Sequence, residues 1–367
     1  MIFNVNDDSN ANFDTAFNLL ARSADAGVFP GAVAAIGHSD GLLRVGAYGS
    51  RCLMPEKLPV LPDTLYDLAS LTKVVATTPL FLIFQEKGWL SAMDKVSYYI
   101  DGFDEGNKKH ITLLNLLTHT SGMKAHVRLD QMCRDRRDAV RYITELPLLH
   151  DPGERVVYSC LGYILLGHIL EKVGDDRLDA LCKRYVFDPL DMHNTSFNPE
   201  PGNIAATEYD EKEGRPLVGL CHDENARFLG GVSGNAGLFS NIYDLAIFGQ
   251  MLINNGLHKG RRFLSGASIK AMTRNYTSHL NEDRGLGWCI RGSRLGGMEE
   301  VYISAGDLMP PKAYGHTGFT GTSLWIDPED DLFVILLSNR VHPSRDNTEF
   351  LRFRLLFHNA VMAGMER

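Results

Sequence analysis

In Leu68-Ala69-Ser70-Leu71-Thr72-Lys73 a hydroxyl and an amine stand three residues apart, a spacing that on a helix puts both on one face and within reach of each other. A serine hydroxyl is a weak nucleophile near neutral pH and becomes a useful one when an adjacent base takes its proton. A lysine can be that base if burial or nearby positive charge depresses its amine towards the working pH. Were Ser70 to open its helix, the positive end of the dipole would favour a developing oxyanion. The pattern is common, and Ser121-Gly122-Met123-Lys124 has the same form. There, however, Gly122 disfavours a helix, so this second serine and lysine are not expected to share a helical face.

What sets Ser70 apart is its company, in order along the chain: Tyr158-Ser159-Cys160, then His316-Thr317-Gly318 just before a strand expected at Thr322–Ile326. With these, the sequence resembles the serine β-lactamase and penicillin-binding-protein superfamily, in particular its class C and esterase-like branch, whose marks are S-x-x-K, Y-x-N and [KH]-T-G. The resemblance runs from about Phe13 to Asn339. It implies an acyl-Ser70 intermediate, with Tyr158 shuttling a proton together with Lys73, and an oxyanion hole made by the backbone N–H groups of Ser70 and Phe319. His316 takes the place usually held by lysine, a variant that the family tolerates. It would make the local charge pH-dependent near neutrality, help to hold a Tyr158 phenolate and let activity fall in acid. Thr317 belongs to the same substrate-binding triplet, and Gly318 would let substrate approach the strand closely. Cys160 departs from the family pattern, standing where an asparagine would bond a substrate amide and the lysine. A thiol is a much weaker partner, which weakens the expected grip on β-lactam or peptide side chains and leaves the Ser-Lys-Tyr group intact.

Three further segments, His222-Asp223-Glu224-Asn225-Ala226, the stretch Gly230 to Ser240, and Ser338-Asn339-Arg340-Val341-His342-Pro343, resemble the sub-branch holding the 4B-type penicillin-binding proteins and the exo-acting N-acetylmuramyl-L-alanine amidases. The glycine run lacks the Gly-Lys-Ser/Thr of a phosphate loop and is expected to form a tight cleft wall. Asn339 and Arg340 would present a fork to a substrate carboxylate, with His222 and Asp223 at the rim.

The elements needed to position these groups are legible from periodicity and turn signals. Helices are expected at Phe13–Ala26, Leu71–Gln85, Leu113–Leu117, Asp138–Leu146, Leu161–Val173 with Gly174 as its C-cap, Tyr243–Asn254 and Glu349–Met362. Strands are expected at Ala32–Gly37, Leu43–Tyr48, Thr322–Ile326 and Leu332–Leu337. The simplest assembly is an α+β fold of the β-lactamase/transpeptidase-like kind: an antiparallel sheet drawn from both ends of the chain, flanked by the terminal helices, with an all-helical lobe inserted. The expected division is a discontinuous sheet lobe, 1–66 and 225–367, and a mainly helical lobe, 67–224, with the site in the cleft between them.

The chain has 367 residues, 44% hydrophobic and 22% charged, with a formal net charge of -8. Those proportions exclude disordered and fibrous classes and offer no basic track for nucleic acid. The acidic start, Met1 to Leu20, is unlike a secretory signal, and no apolar run approaches the ~20 residues that span a bilayer. Six cysteines without CxxC pairs and dispersed histidines suggest neither a disulfide framework nor a metal site, and a reducing, cytoplasmic compartment fits. No cofactor is expected. The expectation is therefore a serine hydrolase acting on a small-molecule or peptide-like substrate: a cell-wall-derived amide, as in a muropeptide amidase or D-Ala carboxypeptidase, or a carboxylic ester. The alternatives are a promiscuous esterase or weak β-lactamase, and, from another class, a non-catalytic binding protein for peptidoglycan fragments. Oligomeric state is not readable from the sequence.

Overall fold

The computed structural model describes residues 12–292 and 304–365; the first eleven residues, on which part of the amino-terminal reading rests, lie outside them. Among the described residues the largest sheet has seven strands, β1 (Gly31–His38), β2 (Gly41–Cys52), β3 (Leu58–Pro59), β4 (Cys289–Ile290), β5 (Tyr314–Thr317), β6 (Ser323–Asp327) and β7 (Leu332–Ser338), in the order β4-β5-β6-β7-β1-β2-β3. All neighbours are antiparallel. The amino-terminal hairpin thus completes a carboxy-terminal meander, with Val33 opposite Leu337 and Ala35 opposite Ile335.

Both faces of β1 are buried, and its period-two alternation sorts side chains between two cores. Ala32, Ala34 and Ile36 face α1 (Asp14–Asp25) and α5 (Glu349–Ala363), meeting Phe17, Leu20, Phe353 and Phe357. Val33 and Ala35 face the opposite way and join α4 (Ile242–Ile253) in a larger core. That core continues without a break into the helical region, through α2 (Thr78–Glu86) and α3 (Cys160–Gly174). Continuity of apolar contact on this side holds the sheet and the helical region in fixed register.

Two local details differ from the sequence reading. Gly174 lies inside α3, and the left-handed residue that ends the helix is Asp175, at φ 50°. The glycine is there for packing, since a Cβ would come within 2.7 Å of Leu181 and 2.9 Å of Phe84. His316 and Thr317 do not merely precede a strand; they end one of their own, β5, which pairs with β6.

Candidate active site

A second, three-stranded sheet places the nucleophile segment. Tyr66–Asp67 pairs with Leu238–Ser240, which also pairs with Ser196–Phe197. Chain direction then changes sharply. Ala69 takes a left-handed φ of 46°, a conformation that strains a residue with a Cβ. Its N–H is held by the buried Asp67 carboxylate at 2.8 Å, and its carbonyl by the Thr72 hydroxyl at 2.7 Å. Ser70 sits in the 3₁₀ turn Ala69–Leu71, which runs into a π turn, Lys73–Thr77, before α2 begins. The expected single helix is therefore wound tight at Ser70 and loose at Lys73, a local irregularity that recurs at functional sites.

Within this run the Lys73 amine lies 3.1 Å from Ser70 Oγ and donates to the Asn235 carbonyl at 2.8 Å, with Cys160 Sγ at 3.8 Å. Lys73 is fully buried. The glycine-rich stretch thus does more than wall the cleft: its Asn235 carbonyl gives the amine the strong acceptor that Cys160, in place of the family asparagine, does not. The Asn235 side chain is tied down by Ser233 Oγ (2.7 Å) and Asp223 Oδ1 (3.3 Å).

Tyr158 precedes α3, whose N-cap is Ser159. Its ring is 5.0 Å from Lys73 Nζ and 5.5 Å from the Arg284 guanidinium carbon, and its buried hydroxyl has no hydrogen-bond partner of ordinary geometry. Burial pushes the phenol above its usual value, opposed by the nearby Lys73 charge; the Cys160 thiol is pushed up likewise. Burial pulls Lys73 down, while ionised Cys160 or Tyr158 would hold it above its ordinary value. Since both acids are themselves pushed up, both hold their protons at neutral pH.

His316 corrects the sequence reading. Its ring is 5.8 Å from that of Tyr158 and is buried, with Nδ1 bonded to the Thr317 carbonyl at 2.8 Å, which assigns the proton to Nδ1. Burial and the Lys73 and Arg284 charges hold it well below the usual histidine value. It is a neutral imidazole throughout the neutral range and adds no pH-dependent charge to support a phenolate. The fixed positive charge near Tyr158 comes instead from Arg284, fully buried and paired with Glu282 at 2.6 Å. No sequence pattern marked it.

The turn after β5 is laced to the segment before Ser70: Thr320 Oγ1 donates to the Asp67 carbonyl at 2.6 Å and Thr322 Oγ1 to that of Leu68 at 3.0 Å. A Cβ on Gly318 would sit 2.4 Å from the Leu68 carbonyl oxygen. Gly318 is therefore needed for the close approach of the turn after β5 to the segment just before Ser70. Phe319 is 48% exposed at the tip, stacked on His222 with ring centres 5.6 Å apart and backed by Arg340 at 4.7 Å.

Three further expectations are relocated. Asn339 is buried and bonds only backbone: its amide oxygen accepts from Gly31, and its nitrogen donates to the carbonyls of Arg51 and Ala206. Arg340 donates to the Asn347 carbonyl at 2.8 Å and lies over Phe319, so these two present no fork to a carboxylate. His222 is buried, not at the rim. Its N–H holds Asp67 at 2.6 Å and its ring meets Glu208 at 3.0 Å, which Arg345 also grips. These residues brace the site, and conformational bracing has the same sequence signature as binding.

Comparison with known proteins agrees with this architecture. The beta-lactamase family model matches residues 17–357. A protein of Escherichia coli (strain K12) carrying the name D-alanyl-D-alanine carboxypeptidase is 33% identical over 327 residues, which cover 80% of this chain and 73% of that relative. Among solved structures, the hydrolase EstCE1, described as having promiscuous acyltransferase activity, superposes with a TM-score of 0.75 at 20% identity, covering 95% of this chain and 97% of its own. A beta-lactamase/D-alanine carboxypeptidase from Pseudomonas syringae gives 0.74 at 20% identity, with 94% and 99% covered. With the family model matched over nearly its whole length and a relative a third identical, this chain belongs to the beta-lactamase family and is a serine hydrolase.

Proposed function

We propose that the protein forms an acyl-enzyme on Ser70 from a cell-wall-derived amide or a related carboxylic ester and transfers the acyl group to water. The observation that carries this reading is the 3.1 Å contact of the buried Lys73 amine with Ser70 Oγ. In the acylation step the neutral form of Lys73, which burial favours, takes the Ser70 proton while Oγ attacks the carbonyl carbon. The oxyanion is held by the backbone N–H groups of Ser70 and Phe319. The tetrahedral intermediate then breaks its bond to the leaving group, which receives the proton through Lys73 and Tyr158. In the second half, water enters as the nucleophile, its proton passing to the same pair, and Ser70 leaves with a proton restored. The interactions of the Tyr158 hydroxyl with Lys73 and Ser70 support its role as the group that passes the proton. The name carried by the Escherichia coli relative supports a D-Ala-terminated or other muropeptide amide as substrate. All six cysteines are unpaired, which fits a reducing, cytoplasmic setting, and no helix among the described residues is long and apolar enough to cross a membrane.

A second reading, a general esterase, is favoured by two observations: Cys160 stands where the family pattern has an amide-bonding asparagine, and the ring of Phe319, the residue that follows His316-Thr317-Gly318, is an exposed apolar surface. Hydrolysis of a D-Ala-D-Ala peptide, N-acetylmuramyl-L-alanine peptides, nitrocefin and p-nitrophenyl butyrate, by wild type and by Ser70→Ala, tests both. Peptide turnover that disappears in Ser70→Ala supports the amidase or carboxypeptidase reading, and ester turnover alone supports the second. Saturable peptide binding without turnover of any compound would move the account to a non-catalytic peptidoglycan-fragment binder.

A further inference from the structure

The segment Thr118 to Lys124 carries the second Ser-x-x-Lys pattern, and the site as described makes no use of it. One of its residues nevertheless contacts the Tyr158 ring and bonds the backbone on either side of it. His119 is buried and left-handed, with φ 58°. Its carbonyl accepts from the Val157 N–H at 2.8 Å and its ring Nδ1 from the Ser159 N–H at 3.0 Å, so the two bonds bracket Tyr158 along the chain. Its ring also lies against that of Tyr158, with centres 4.5 Å apart and planes 41° apart. The end of the segment and the residue after it hold the same loop from outside: Ser159 Oγ donates to the Lys124 carbonyl at 2.7 Å and the Cys160 N–H to the Ala125 carbonyl at 2.9 Å.

We propose that His119 is a positioning residue for the hydrolytic reaction, clamping residues 157–159 and backing the Tyr158 ring so that the phenol reaches Ser70 and Lys73. The inference rests on the reading of Tyr158 as the proton carrier. Because Nδ1 accepts a backbone hydrogen bond, the ring proton is assigned to Nε2, and the imidazole serves as an acceptor and a wall with no need to change charge. Lys73, Arg284, His316 and Cys160 face Tyr158 from the other elements packed around it. His119 is the group among these that fixes its backbone on both sides.

A role exercised through Tyr158 predicts non-additivity. In the wild-type background His119→Leu lowers kcat about 100-fold with KM nearly unchanged, on the scale of losing a positioned proton-transfer group. In the Tyr158→Phe background the same substitution changes kcat little, because the hydroxyl it positions is already gone. His119→Asn places an amide oxygen where Nδ1 stood, keeps the Ser159 bond and loses only the ring, so it recovers a large part of the kcat. Should His119→Leu fail to fold, His119→Asn is run through the same pair of backgrounds, where a loss seen only in the presence of the Tyr158 hydroxyl supports the clamp. Equal loss in both backgrounds, or a rise in KM that accounts for the loss in kcat/KM, overturns it. Full turnover by Tyr158→Phe alone overturns the reading of Tyr158 itself, a result that the single substitution separates from failure of the His119 assignment.

Discussion

The chain holds two Ser-x-x-Lys segments that look alike on paper and have nothing in common in space. Around Ser70 the backbone winds from 3₁₀ to π to α, the lysine is buried, and its amine touches the hydroxyl three residues back. Around Ser121 there is no helix. Gly122 is at φ 76°, and a Cβ there would lie 2.0 Å from the His150 carbonyl oxygen, so the segment bends around the loop that leads to Tyr158. In the mechanism proposed above, one segment carries the reacting pair and the other holds the third member of the group in place. Spacing alone therefore specifies chemistry only when backbone winding brings the side chains onto one face and burial excludes water from the amine.

Substitutions can break or sharpen this contrast. The largest effect expected is from Ser70→Ala, which lowers kcat about ten-thousand-fold or more, whereas Ser121→Ala stays within a few-fold of wild type in the same ester assay. Tyr158→Phe comes next, with a loss of about 100- to 1,000-fold in kcat, measured on whichever substrate turns over best. The two constrained glycines separate the roles of the segments further. Gly318→Ala pushes the turn after β5 away from the Leu68 carbonyl and lowers kcat at least about tenfold, in line with the loss of an oxyanion donor. Gly122→Ala instead lowers the thermal midpoint, with a stability cost of about 2 kcal/mol.

A smaller effect concerns acid. Burial holds His316 and His119 well below the ordinary histidine value and His358 at about 3. Such groups are neutral when folded but take up protons when unfolded, once the pH falls below about 6.5. The unfolded chain then binds more protons, so stability is full above that value and declines as pH falls, by about 1.4 kcal/mol per pH unit for each such histidine. Denaturant titrations from pH 7.5 down to 5 should show this decline, while kcat of the folded enzyme shows no acid limb from His316 across the same interval. An acid limb that His316→Gln removes would contradict the neutral imidazole. Least disruptive is Cys160→Ala, expected to change ester turnover by no more than a few-fold, because the Asn235 carbonyl holds the Lys73 amine at 2.8 Å without it.

Much of the frame was legible in the sequence because burial imposes a period. β1 reads as a short apolar run buried on both faces, α1 and α5 carry apolar spacing, and Ser70, Lys73, Tyr158 and His316 stand in a recognisable motif order. What pattern could not give is anything that depends on the direction of approach of distant segments. Arg284 belongs to no motif and acts from behind Tyr158. Asn235 contributes a carbonyl, which every residue has. His119 carries no motif of its own beside Ser121 and Lys124, and Asn339, Arg340 and His222 look in sequence like binding groups because a buried polar side chain that satisfies backbone or a neighbouring carboxylate resembles one that awaits a ligand.

The central claim is that acyl transfer passes through Ser70, and the two candidate serines fall on different tryptic peptides, Leu58–Lys73 and His110–Lys124. Rapid acid quench during turnover of p-nitrophenyl butyrate, followed by peptide mass measurement, reads the acylated position directly. The account predicts a butyryl adduct on Leu58–Lys73 that vanishes in Ser70→Ala; an adduct on any other peptide, or steady turnover by Ser70→Ala, would contradict it.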